Sequence, residues 1–119
     1  MDQLIDLEEA SSLIDERVAA WRAAGISVGA VTWRDAGRGW PPPITSNRDE
    51  VLDADSVGVA LAKGEQEGSV VLFVAGFADF EYWDGVSPDS VVLDAPGSDS
   101  PITLSEFGDV LDRLAALFR

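Results

Sequence analysis

Carboxylates are the side chains in this sequence best placed to do acid–base or metal chemistry: there are 22 Asp and Glu against 8 Lys and Arg, with no His and no Cys. Those absences exclude Ser-His-Asp and Cys-His nucleophilic sites, zinc sites of nitrogen and sulfur ligands, and disulfides. Hydroxyls, Arg and the single lysine, Lys63, complete the chemical inventory. Asp79, Glu81, Asp84, Asp89 and Asp94 lie close together along the chain. A glycosidase-like pair or an oxygen-ligand metal cluster needs two or three of them to converge in a pocket. Strand alternation instead sets Asp79 and Glu81 along one exposed face, about 7 Å apart. A solvated or partner-facing surface is therefore expected, with no cofactor and no metal.

The four tryptophans are weighed against those acids. Trp21 falls on an apolar helical stripe and is expected in the core, and Trp33, at a strand end, in the core or at its rim. Trp40 stands between Gly39 and Pro41, Pro42 and Pro43 in a polar loop, where it either lids the core or projects as an interface anchor. Trp83 shares a strand face with Asp79 and Glu81. An aromatic among acids is the composition of an interface for an Arg- and Lys-rich partner, with Trp as anchor and carboxylates for steering. The alternative is that Trp83 folds over its own sheet edge. The candidate partner-binding residues are Asp79, Glu81, Trp83, Asp84, Asp89 and Trp40, with Trp40 expected near the others.

The elements that must position these residues follow from periodicity. Over residues 2–24, Leu4, Leu7, Ser11, Ile14, Val18 and Trp21 recur at helical steps, and Gly25 ends the helix. Ile26, Val28, Val31 and Trp33 read as a strand with Gly29 inside it. Residues 34–50 contain the three prolines and read as a surface loop, with neither a long helix nor a paired central strand. Two apolar runs, 56–63 and 69–77, joined by the polar Gly-flanked segment 64–68, predict a β-hairpin. The second run is apolar on both parities from Val70 to Ala75, the pattern of a central strand covered on both faces. After Gly76, residues 78–84 alternate cleanly, with Ala78, Phe80 and Tyr82 on one side. A short strand is expected at 91–93.

Thr103 and Glu106 have capping-box spacing, and Leu104, Phe107, Val110, Leu111, Leu114 and Phe118 form the stripe of a C-terminal helix. The order predicts one α+β domain over residues 1–119: a mostly antiparallel sheet of four to five strands packed with an N-terminal and a C-terminal helix. Neither Gly37-Arg38-Gly39 nor the triple proline carries a specific recognition motif.

A formal net charge of −14 disfavours direct binding to nucleic acid or anionic membrane and favours a basic partner. The first ten residues lack the positive and apolar regions of a secretory signal, and no apolar run approaches a membrane span, so a cytoplasmic location is expected. The charge is spread over both helices and most loops, but between Asp79 and Asp94 it sits among aromatics on strands.

The helix LIDERVAAW (13–21), the hairpin segment SVGVAL (56–61) and the run GSVVLFVAGFADFEYWD (68–84), followed by a final amphipathic helix, resemble small bacterial immunity proteins of polymorphic toxin and contact-dependent inhibition systems, the TriTu type in particular. The resemblance covers about two thirds of the chain and leaves residues 34–50 without a counterpart. It implies a non-enzymatic antitoxin that binds a cognate toxin, often a nuclease acting on tRNA, and blocks its active site or substrate engagement. It carries over no catalytic residues. The competing expectations are a carboxylate-based hydrolase or divalent-ion binder, and an accessory, chaperone-like domain that binds a secreted protein by strand addition.

Overall fold

A computed structural model describes residues 4–119. Helix α1 spans Leu7–Ala23 and starts where the Asp6 carboxylate accepts the backbone N–H groups of Glu8 and Glu9. The helical stripe expected from Leu4 therefore begins at Leu7, and Leu4 is exposed; the expected start at Asp2 lies outside the described residues. Gly25 adopts φ +84°, which lets Ile26 N–H return to the Trp21 carbonyl and Gly25 N–H to that of Arg22. This left-handed cap brings Ile26 against Trp21, and both are buried.

Seven strands form one antiparallel sheet: β1 Ser27–Val28, β2 Thr32–Asp35, β3 Ile44–Thr45, β4 Ala54–Lys63, β5 Gln66–Phe73, β6 Ala78–Trp83 and β7 Val92–Asp94, ordered β3-β2-β4-β5-β6-β7 with β1 also on β4. Helix α2, Leu104–Leu117, completes the α+β architecture. The sheet exceeds the expected four to five strands for two physical reasons. The segment read as one strand around Gly29 is two, because Val28 opposes Leu61 and Thr32 opposes Gly58, so one extra residue bulges between them. Within the expected loop 34–50, Arg34 and Asp35 continue β2, and Ile44–Thr45 pairs with it as an edge strand.

The hairpin connection is also shorter than expected. The turn is Gly64-Glu65 alone, so Gln66 and Glu67 belong to β5 and pair with Lys63 and Ala62. Strand β6 alternates as its sequence requires, with Ala78, Phe80 and Tyr82 buried and Asp79 and Glu81 exposed.

Both helices cover one face of the sheet. On it, Val57, Val59 and Leu61 of β4 align with Leu72, Val70 and Gly68 of β5 and with Ala78, Phe80 and Tyr82 of β6. These residues form one core with Leu7, Ala10, Ile14 and Trp21 of α1 and Phe107, Leu111 and Leu114 of α2. Tyr82 meets Phe118 edge-to-face at 5.2 Å between centroids. The capping box forms: the Thr103 hydroxyl accepts Glu106 N–H, and Glu106 accepts Thr103 N–H, each at 3.1 Å. Arg17 of α1 bridges to Asp112 of α2 at 2.7 Å, fixing the helices to each other.

Among the described residues no second layer covers the opposite face, which corrects the expectation that β5 is covered on both sides. Val70 and Leu72 are buried, whereas Val71 and Phe73 are half-buried. Phe73 stacks on Phe77 at 4.7 Å, and the Arg34 guanidinium lies 5.1 Å from the Phe73 ring. The apolar parity of β5 that does not meet helices is thus sheltered locally, by its neighbours.

Candidate functional site

The uncovered face can be read strand by strand from the register. Near one end of the sheet lie Arg34, Ser56 and Phe73, followed by Thr32, Gly58, Val71 and Asp79. The next row is Ala60, Ser69, Glu81 and Leu93. The last is Ser27, Ala62, Glu67 and Trp83. Large side chains fill the first end, while Ala, Ser and Gly occupy the middle of the second. The result there is an open groove of about 760 Å³ whose floor includes Gly29, Ala60, Ala62 and Ser69 and whose rim includes Glu67, Glu81, Trp83 and Val91. Among the described residues, two carboxylates and no Lys or Arg line it.

Asp79, Glu81 and Trp83 share this face. Asp79 and Glu81 are exposed, and Glu81 accepts a hydrogen bond from the Ser69 hydroxyl at 3.2 Å. Trp83 is half-buried at the groove wall, and its indole N–H donates to the Ser87 carbonyl at 2.8 Å. That bond ties the ring to the loop beyond β6 and fixes its orientation.

Asp84 is half-buried and hydrogen-bonded within its own loop. One carboxylate oxygen accepts the Ser90 hydroxyl at 2.5 Å and the N–H groups of Val86 and Ser87 at 2.8 and 3.2 Å. The Ser90 and Val86 bonds, against the opposing pull of burial and with Ser87 adding to them, hold its carboxyl below the ordinary range. Asp84 is an organiser of the loop that anchors Trp83. In that loop Gly85 has φ +81°, and a Cβ there would lie 2.1 Å from the Glu65 carbonyl, so the loop packs onto the β4–β5 turn only without a side chain. Asp89 is exposed in the short 3-10 turn Pro88–Ser90 of the same loop.

Trp40 is not near them, which corrects that expectation. It is 88% exposed in the loop joining β2 to β3, beyond the Asp35 end of β2. Asp35 opposes Ala54 at the start of β4, whereas Trp83 opposes Glu67, which opposes Ala62 near the end of β4. The two indoles therefore attach at diagonally opposite corners of the sheet. Trp21 and Trp33 are buried in the core. Asp94 is exposed on β7 and engaged by Arg113 of α2, whose bond, joined by the Ala95 N–H and opposed by burial, keeps its carboxyl below the ordinary range.

Glu67 was missed, because segment 64–68 reads as a connection. A two-residue Gly-Glu turn would have revealed it, since that choice places Glu67 opposite Ala62 and beside Trp83. Among the described residues the one fully buried carboxylate, Asp35, lies far from the groove. Burial would push it up, but the N–H groups of Leu52, Asp53 and Gly37 and the Arg38 guanidinium outweigh that and hold it at about 2. It stitches Leu52 and Asp53 to β2.

The cations are spent in the same way. Arg17, Arg34, Arg38, Arg48 and Arg113, five of the eight basic residues, are paired with Asp112, Asp55, Asp35, Glu8 and Asp94. Lys63 follows the parity of Val57, Val59 and Leu61, which places it on the helix side. Among the described residues no cluster of three or more carboxylates is disposed to hold a metal ion, and no helix is long and apolar enough to cross a membrane. Compared with protein-family models, curated proteins and solved structures, the chain matches none.

Proposed function

We propose that this protein is a non-enzymatic immunity protein that docks its uncovered sheet face onto a basic toxin, of the nuclease type, in the cytoplasm of the cell that makes it. One observation carries the reading: the face left bare by the helices holds Asp79, Glu81, Glu67 and a fixed Trp83, with no Lys or Arg in the groove between them. Exposed carboxylates on a rigid strand accelerate encounter with a positive surface, and an oriented Trp supplies contact area at low entropic cost. The resemblance of residues 13–21, 56–61 and 68–84 to immunity proteins of the TriTu type points the same way. Occupying a nuclease's positive cleft would exclude its nucleic-acid substrate by charge and by volume.

The hydrolase alternative finds less support, since Asp79 and Glu81 are exposed neighbours on one strand and Asp84 is committed to its loop. Strand addition would use the terminal strands, β7 with exposed Leu93 and, before it, Val91, or β3 with exposed Ile44, and their three and two residues offer few main-chain bonds. The test is rescue of growth. Co-expression with the variable C-terminal domain of a large secreted protein encoded immediately upstream should protect the host, and Asp79→Lys with Glu81→Lys should abolish protection at equal expression. Protection that survives both reversals would remove the proposed face. Failure to protect against any such neighbouring toxin would remove the function.

A further inference from the structure

Three arginines of this chain are held in the same way, between a carboxylate and an aromatic ring. Arg34 bonds Asp55 at 2.6 Å and lies 5.1 Å from the Phe73 centroid. Arg48 bonds Glu8 at 2.7 Å and lies 4.9 Å from Trp33. Arg113 bonds Asp94 at 2.5 Å and lies 4.5 Å from Phe80. Guanidinium suits such places because it is planar, weakly hydrated and able to bond a carboxylate while its face rests on a ring.

Trp83, Glu67 and Glu81 repeat that combination on the uncovered face. Glu67 is directly opposite Trp83, and Glu81 is two residues away on the same strand and side. The Trp83 indole is already oriented by its bond to Ser87, and the floor beside it is Ala60, Ala62 and Ser69, small enough to admit a side chain lying flat. The groove lining supplies two negative charges and no cation. From this we infer that the groove is an arginine-binding subsite, which takes one arginine side chain of a basic protein partner along Trp83 and onto Glu67 and Glu81. The inference rests on the proposed docking face and assigns its anchor. Asp79, one row away, steers without touching the bound guanidinium. Lysine fits less well, since a compact, strongly hydrated ammonium gains less from the ring and cannot bridge two carboxylate oxygens in one plane.

The probes are two blocked peptides of equal length and charge, acetyl-(Gly-Arg)₃-amide and acetyl-(Gly-Lys)₃-amide, titrated into the full chain and followed by backbone and indole NMR shifts. The arginine peptide should shift the Trp83 indole and the Ala60, Ala62 and Ser69 amides, and bind about fivefold more tightly than the lysine peptide. Glu67→Gln with Glu81→Gln should remove that preference. Ala60→Leu, which fills the floor without changing charge, should remove it too, while Asp79→Asn should weaken both peptides alike. Equal affinities with shifts over the whole sheet face would overturn the arginine subsite and leave the acidic docking face standing. Shifts confined to the helices would overturn both. Groove shifts that grow with protein concentration alone would make a second copy the occupant and overturn the partner assignment.

Discussion

The two faces of the sheet are built from the same strands by alternate residues, yet they solve opposite problems. On the helix side, Val57, Val70, Leu72, Phe80 and Leu111 are at most 2% exposed, and burial of this kind is the main source of folding free energy. On the other side, Ala60, Glu67, Asp79 and Glu81 contribute little apolar area, and the three carboxylates among them are exposed. The one arginine in the rows of this face, Arg34, is paired with Asp55 at the far end from the groove, and Arg17, Arg38, Arg48 and Arg113 are paired elsewhere. A protein that needed only solubility could place its acids anywhere. Setting them beside a fixed indole over a small-residue floor makes a surface that is expendable for folding.

That contrast can be broken most severely from the covered side. Phe80→Ala removes a fully buried ring from the centre of the core and should cost about 3–5 kcal/mol, read as a fall in the urea midpoint. Asp35→Ala should act next, lowering Tm by roughly 10 °C, because the Leu52, Asp53 and Gly37 N–H groups lose their acceptor. The Asp35 carboxyl is depressed from 3.8 to about 2 on folding. Its stabilisation is therefore complete above the unfolded value and is lost as pH falls through the folded one. Asp35→Asn should flatten the dependence of Tm on pH between about 4 and 2.

Smaller still is the expected effect of Asp84→Ala, which frees the loop holding Trp83. Indole fluorescence should become more quenchable by acrylamide, with only a modest fall in Tm. Glu81→Gln should leave stability within about 0.5 kcal/mol. If Glu81→Gln destabilised the fold as much as Asp35→Ala, the two faces would not differ in the way described.

Much of this architecture is legible in the residues. Thr103 and Glu106 announce the cap of α2, the alternation from Ala78 to Trp83 assigns each side chain of β6 to its face, and Gly25 marks the end of α1. What is not legible is non-local. The Ile44–Thr45 strand is two residues long, too short to leave a period, and exists because β2 offers it a partner. The both-parity apolar run of β5 reads as doubly covered because periodicity cannot distinguish a second layer from Phe77 and Arg34 lying over Phe73. The separation of Trp40 from Trp83 depends on strand order and register, which a loop sequence does not encode. Glu67 turned on a choice between a two-residue and a five-residue connection, and that choice flips its role from turn to groove wall.

The central claim is that the uncovered face, and not acidity in general, engages the partner. The direct measurement is the affinity for the proposed basic toxin of two double variants with the same change in net charge: Asp79→Lys with Glu81→Lys on β6, and Glu9→Lys with Asp15→Lys on exposed positions of α1. The open-face pair should lose about a hundredfold or more and the helix pair no more than about threefold. Equal losses from the two pairs would mean that only the net charge matters, and would contradict the account.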